Sequence, residues 1–161
     1  MSAASKIAVF VDVQNIYYTT RDAYGRPFNY RLFWQQLSET GDIVVANAYA
    51  TYREGDDGQA KFRDALKHIG FNVKTKPYIQ RADGSAKGDW DVGIAIDVLD
   101  SAPDVDKVVL LSGDGDFDLL LLKVITKHGI DAEVYGVEAL TANALIYAAS
   151  RFYPITEEFL L

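Results

Sequence analysis

Cysteine is absent from this 161-residue chain, which excludes disulfides and thiolate metal sites and fits a reducing cytoplasm. Histidine is almost as scarce. Only His68 and His128 occur, and each follows a lysine just before a glycine that closes a helix-period segment, where cations complement the helix dipole. A nucleophilic triad is therefore poorly supported. Long apolar runs are missing too: no stretch approaches the ~18 residues of a membrane span. Met1-Ser2-Ala3-Ala4-Ser5 lacks the charged start and apolar run of a signal peptide. A soluble, cytoplasmic protein with no membrane partner is expected. Neither a GxxxxGK[ST] loop nor a GxGxxG fingerprint occurs, which leaves nucleotide-cofactor readings without support. Basic residues are outnumbered, 16 Lys and Arg against 23 Asp and Glu, for a net charge of −7. That balance argues against coating nucleic acid non-specifically, but an acidic metal site beside a local basic strip is compatible with it.

What is present suits one packed core. With 49% hydrophobic residues the chain is long enough for one domain over residues 1–161, with residues 1–5 as a disordered tail, and too short for two ordinary domains. Strand-length apolar runs alternate with helix-period segments, the pattern of an α/β fold whose mostly parallel sheet is covered by helices on both faces. Strands are expected at Ile7 to Val11, Ile43 to Tyr52, Asn72 to Tyr78, around Val108, and at Ala132 to Gly136, with an edge strand from Arg151. Helices are expected at Tyr30 to Glu39, Gly58 to Ile69, Asp91 to Leu99, Phe117 to His128, and within Thr141 to Ser150.

The most informative stretch is Ser112-Gly113-Asp114-Gly115-Asp116-Phe117-Asp118, where acids at every second position follow the apolar run Val108 to Leu111. Carboxylates crowded at a strand tip must find a cation or raise their pKa, and oxygen-only crowding favours magnesium, manganese or calcium. A second strand ends the same way in Asp12, with Asn15 one helical turn on. In open α/β sheets, ligands bind at the carboxyl ends of the strands where the strand order reverses. Asp91, opening a helix, can project to the same rim. Asp97 is on another face of that helix at about 100° per residue, and is either a supporting group or solvated. Turn formation, helix capping and dipole pairing are the bland alternatives for each acid, and Asp118, within the first turn of its helix, fits them best. An EF-hand reading of Asp114-x-Asp116-x-Asp118 fails, because the places that should hold Gly and Glu hold Leu119 and Ile125.

One basic strip qualifies for a phosphate backbone. Lys74, Lys76, Arg81 and Lys87 face the single acid Asp83, with Tyr78 among them. Tyr17, Tyr18, Tyr52, Tyr78 and Trp90 either stack bases or fill core rims, and Tyr78 and Trp90, flanking the strip, fit stacking best.

Taken together, Val9-Phe10-Val11-Asp12-Val13-Gln14-Asn15, Lys87-Gly88 with Asp91 and Asp97, and Leu111 to Phe117 resemble the NYN domain family, in particular its LabA-like branch, one of the PIN-like nucleases. The resemblance runs from about Lys6 to Arg151. It implies a PIN-like (Rossmann-like) three-layer α/β sandwich with an acidic magnesium or manganese site, and RNA cleavage or processing as the activity. Together with the acidic strand ends this makes a metal-dependent endoribonuclease acting on single-stranded RNA the expected function. Carried over by position, Asp12, Asp91, Asp114 and Asp116 are the catalytic metal ligands, Asn15 and Ser112 orient them, and Lys87 meets substrate phosphate. Asp89-Trp90 intervenes where the family usually has one residue between Lys-Gly and its aspartate, so either Asp89 or Asp91 supplies the ligand. Asp118 stands where the family often has an uncharged residue. A non-catalytic RNA-binding or regulatory protein and a metal-dependent phosphohydrolase are the competing classes. The oligomeric state is open, a homodimer being one option.

Overall fold

The computed structural model describes residues 4–52, 55, 57–77, 79–80, 86–87 and 89–161. Strand β1 is Lys6–Asp12, and its run of Ile7 to Val11 is wholly buried, as expected of a central parallel strand covered on both faces. Helix α1, Val13–Tyr24, follows without a loop. The expected series of elements lacks this helix, because its apolar pattern is thin: only Val13, Ile16 and Thr20 are buried. Thr19 and Thr20 turn their hydroxyls back onto the carbonyls of Asn15 and Ile16, at 2.8 and 2.7 Å, which lets two poor helix formers sit within it.

Helix α2 is Tyr30–Ser38, capped by the Asn29 side chain, which accepts from the Leu32 amide. Then come β2, Asp42–Tyr52, α3, Asp57–Ile69, and β3, Asn72–Pro77. Short strands β4, Ile79–Gln80, and β5, Ala86–Lys87, pair antiparallel beside the main sheet. Helix α4 is Asp91–Ser101, β6 is Lys107–Leu111, α5 is Asp118–His128 and β7 is Asp131–Gly136. Helix α6, Asn143–Ala148, and strand β8, Arg151–Pro154, complete the main series.

The main sheet has six strands in the order β3-β2-β1-β6-β7-β8, all neighbours parallel. Helices α1, α2 and α3 cover one face around Val9, Val11, Phe33 and Leu66, and α4, α5 and α6 cover the other around Phe10, Ile94, Leu121 and Leu145. The result is a three-layer α/β sandwich. Chain order runs outward from β1 in one direction and from β6 in the other, so the reversal lies between these two strands. Their register pairs Val11 with Leu111, which brings Asp12 and Ser112 to the same level at the carboxyl edge. Met1 to Ala3, in the expected tail, lie outside the described residues, while the Ser5 carbonyl accepts from the Asp42 amide at 2.7 Å. Among the described residues no helix is long and apolar enough to cross a membrane.

Candidate functional site

At the reversal point, backbone and side chains lock two strand ends together. Ser112, fully buried, donates its hydroxyl to Asp12 Oδ2 at 3.1 Å and accepts from the Asp114 amide at 3.1 Å. Asn15, in the first turn of α1, accepts from the Gly113 amide at 2.8 Å through Oδ1. Asp114 Oδ1 takes the Asp116 amide at 2.9 Å, capping the 3-10 turn Gly115–Phe117 that leads into α5. The loop is backed from below by the chain ahead of α6, where the Ala142 amide donates to the Gly113 carbonyl at 3.1 Å.

That backing leaves no room for a side chain. A Cβ at Gly113 would lie 2.8 Å from the Leu140 carbonyl oxygen and 3.1 Å from Thr141 Oγ1. Gly113→Ala should therefore push the loop off its support and strain the Asn15 bond, lowering stability by ~1–3 kcal/mol as overpacking does. Thermal unfolding of the variant checks this, and an unchanged Tm would mean that the loop yields freely.

Three carboxylates meet above this frame. Asp91, at the start of α4, and Asp114 and Asp116 each offer an oxygen within 4.8 Å of the others. Asp12 sits beside them, half-buried. Burial pushes its carboxyl up to about 6 against the Ser112 hydroxyl, and the charges of Asp114 and Asp89 add to the rise. Asp91 is raised to about 7 by burial, then by the charge of Asp114, a hydrogen bond shared with Asp114, and the charges of Asp12 and Asp89. Anions held this close fit a hard cation with oxygen ligands, which would replace the protons that otherwise relieve their repulsion. Asp89 is exposed and outside the three-carboxylate group, yet close enough for its charge to act on Asp12 and Asp91.

Other predicted residues have different occupations. Asp97 Oδ2 accepts from Lys74 Nζ and from the Tyr49 hydroxyl, both at 2.7 Å. Burial alone would raise its carboxyl, but these two donors hold it below the ordinary carboxylate range. Asp118 turns to its own helix and accepts the Leu119 amide at 2.6 Å. Lys76 donates to the Asp89 carbonyl and lies 4.6 Å from the centre of the Trp90 ring, whose Nε1 donates to the Ala50 carbonyl at 2.9 Å. Lys74 and Lys76 are thus engaged within the protein. Arg81 and Tyr78 lie outside the described residues, as does the side chain of Lys87.

Tyr49 and the Leu140 to Ala142 backing carry no signal in the sequence. Tyr49 reads as an ordinary core aromatic, and only the partnership with Asp97, 48 positions away, distinguishes it.

Comparison with known proteins agrees with this architecture. The chain is 29% identical over 162 residues to the low amplitude and bright protein LabA of Synechococcus elongatus, a match covering 95% of this chain and 85% of that protein. The crystal structure of a protein of unknown function from Vibrio parahaemolyticus superposes with a TM-score of 0.94 at 48% identity, covering 100% of this chain and 99% of that one. The NYN domain model matches residues 6–156, a span that takes in both locked strand ends and the helix that carries Asp91, and the chain accordingly belongs to the NYN domain family.

Proposed function

We propose that this protein is a magnesium- or manganese-dependent ribonuclease that hydrolyses phosphodiester bonds of single-stranded RNA. The observation that carries the reading is the meeting of Asp91, Asp114 and Asp116 oxygens within 4.8 Å at the sheet's reversal point, with Asp12 held alongside by Ser112. Membership of a family whose members are generally nucleases supports it. A divalent cation bound by these carboxylates would polarise a phosphoryl oxygen and lower the pKa of a bound water. Asp12, Asp91, Asp114 and Asp116 supply the negative charge that holds it, with Asp89 at the rim as the alternative to Asp91. Ser112 and Asn15 fix the directions of these groups by tying Asp12 and the Gly113 amide to one another's strand. Substrate phosphate is assigned to Lys87 and, by its place in the sequence, Arg81, whereas Lys74 and Lys76 are engaged with Asp97 and the Asp89 carbonyl and are not counted among the phosphate contacts.

Cleavage of a labelled single-stranded RNA should appear with manganese or magnesium and stop with EDTA, while a generic phosphomonoester should be turned over slowly or not at all. His68→Ala and His128→Ala should leave the rate unchanged, since both residues lie in the last turns of their helices. Metal-independent cleavage would refute the metal mechanism. Faster turnover of the phosphomonoester would make the protein a phosphohydrolase instead.

A further inference from the structure

Beside the acidic cluster, the same edge of the sheet carries a second concavity. A groove of about 600 Å³ opens between α1 and α3 over the end of β2, a size typical of ligand sites. Tyr17, Tyr18 and Arg21 line one wall, and Phe62 and Arg63 the other, with Thr51 between them. Val13 and Gln14, which directly follow Asp12, form its near end. Because Asp12 is in register with Tyr49, Thr51 lies two residues beyond that level on the neighbouring strand.

Two observations distinguish the groove from ordinary surface. The first is its rings, which are held in place yet left open to solvent: Tyr17 is 53% exposed, Tyr18 43% and Phe62 39%. Tyr17 and Tyr18 meet edge to face at 5.3 Å, the Arg21 guanidinium lies 5.4 and 5.1 Å from their centres, and Phe62 leans on the buried Tyr30 at 5.8 Å. The second is Arg63, whose Nη1 is buried without a hydrogen-bond partner. A buried charged donor lacking an acceptor is costly, and an incoming anion would relieve it. Among the described residues neither arginine is in an ion pair, and no acidic residue lines the groove.

Planar guanidinium groups match phosphate oxygens, and exposed rings offer faces on which bases stack regardless of sequence. We infer that the groove between α1 and α3 holds a stretch of single-stranded RNA, with bases against Tyr17, Tyr18 and Phe62 and phosphates against Arg21 and Arg63. The inference deepens the ribonuclease reading and rests on it for the choice of RNA. It assigns the strand's path to a face other than the one bearing Lys74 and Lys76, which have partners of their own.

The test is binding of a fluorescein-labelled single-stranded oligouridine in EDTA, read by anisotropy over a range of salt. Tyr17→Ala with Tyr18→Ala should weaken affinity about thirtyfold or more. Arg21→Gln and Arg63→Gln should each weaken it and reduce the slope of log K against log salt by about 0.7. Tyr147→Ala, removing an 87% exposed ring on α6 of the opposite face, is the control and should change nothing. Arg21, Tyr17 and Tyr18 are exposed, so their variants report on binding even if Arg63→Gln unfolds. Parent-like affinity and slope in all of these variants, or a parent that does not bind saturably, overturns the inference. Cleavage assays with manganese separate it from the reading beneath it. A parent that binds through these residues without cleaving refutes hydrolysis and keeps the groove, whereas cleavage with unchanged KM in the variants refutes the groove and keeps hydrolysis.

Discussion

Asp114→Asn should lower RNA cleavage by about a hundredfold to a thousandfold, the scale of loss when one preorganised electrostatic group is removed from an active site. The substitution separates charge from architecture. Asparagine keeps an Oδ1 that can accept the Asp116 amide, and the backbone amide can still reach Ser112, so the 3-10 turn and the loop should persist. What disappears is the anion that presses on Asp91 and Asp12. Circular dichroism should match the parent, manganese should no longer raise Tm, and the metal-free variant should melt higher than the metal-free parent. Equal manganese-induced shifts in variant and parent would remove Asp114 from the metal site.

The second large effect is the dependence of metal-free stability on pH. Asp12 and Asp91 titrate at about 6 and about 7 in the fold, against 3.8 for the unperturbed group. Between these limits the folded chain keeps protons that the unfolded chain has released, so stability falls as pH rises from about 4 to about 7. Above that both carboxylates are ionised and their repulsion is fully felt. For Asp12 the loss amounts to ~1–3 kcal/mol. Asp91 is half-exposed, and solvent screening reduces its share. Asp97 works in the opposite sense, but its lowered pKa confines that contribution to more acidic solution. In EDTA, Tm should therefore drop between pH 5 and pH 8, and Asp12→Asn should flatten the drop. Manganese at about a hundred times its Kd should restore ~2.7 kcal/mol, or roughly 5–10 °C, at pH 8. A Tm in EDTA that is level across this range and unmoved by manganese would mean that the carboxylates neither repel nor bind.

Several parts of this molecule could be read directly from the chain. Ile7 to Val11 and Val108 to Leu111 are short continuous apolar runs rich in β-branched residues, the length and composition of a strand buried on both faces. Asp12 and Asp114 could be placed at strand tips because each follows its run at once. Helix α5 was legible from its apolar period and the glycine at its end, and β8 from the short apolar tail after α6.

Partnerships across the fold were decided only by tertiary structure. Helix α1 carries too few apolar positions to announce itself, and becomes secure because β2 and the sheet face accept Val13 and Ile16. Lys74 read as a free cation until folding set it against Asp97, 23 positions away, whereas the helix-start role read for Asp118 agrees with its bond to the Leu119 amide. The groove between α1 and α3 has no sequence signature, since its arginines stand 42 positions apart, Arg21 on one helix and Arg63 on the other. Local patterns report how a segment buries its own surface, and so they determined the six strands of the main sheet, most helices and the acids at their ends. They did not determine the two-residue strands β4 and β5, which are too short to show a period and read as a loop. Which charges meet, which are neutralised and which stay available depends on the order of strands in the sheet, and no single segment encodes that order.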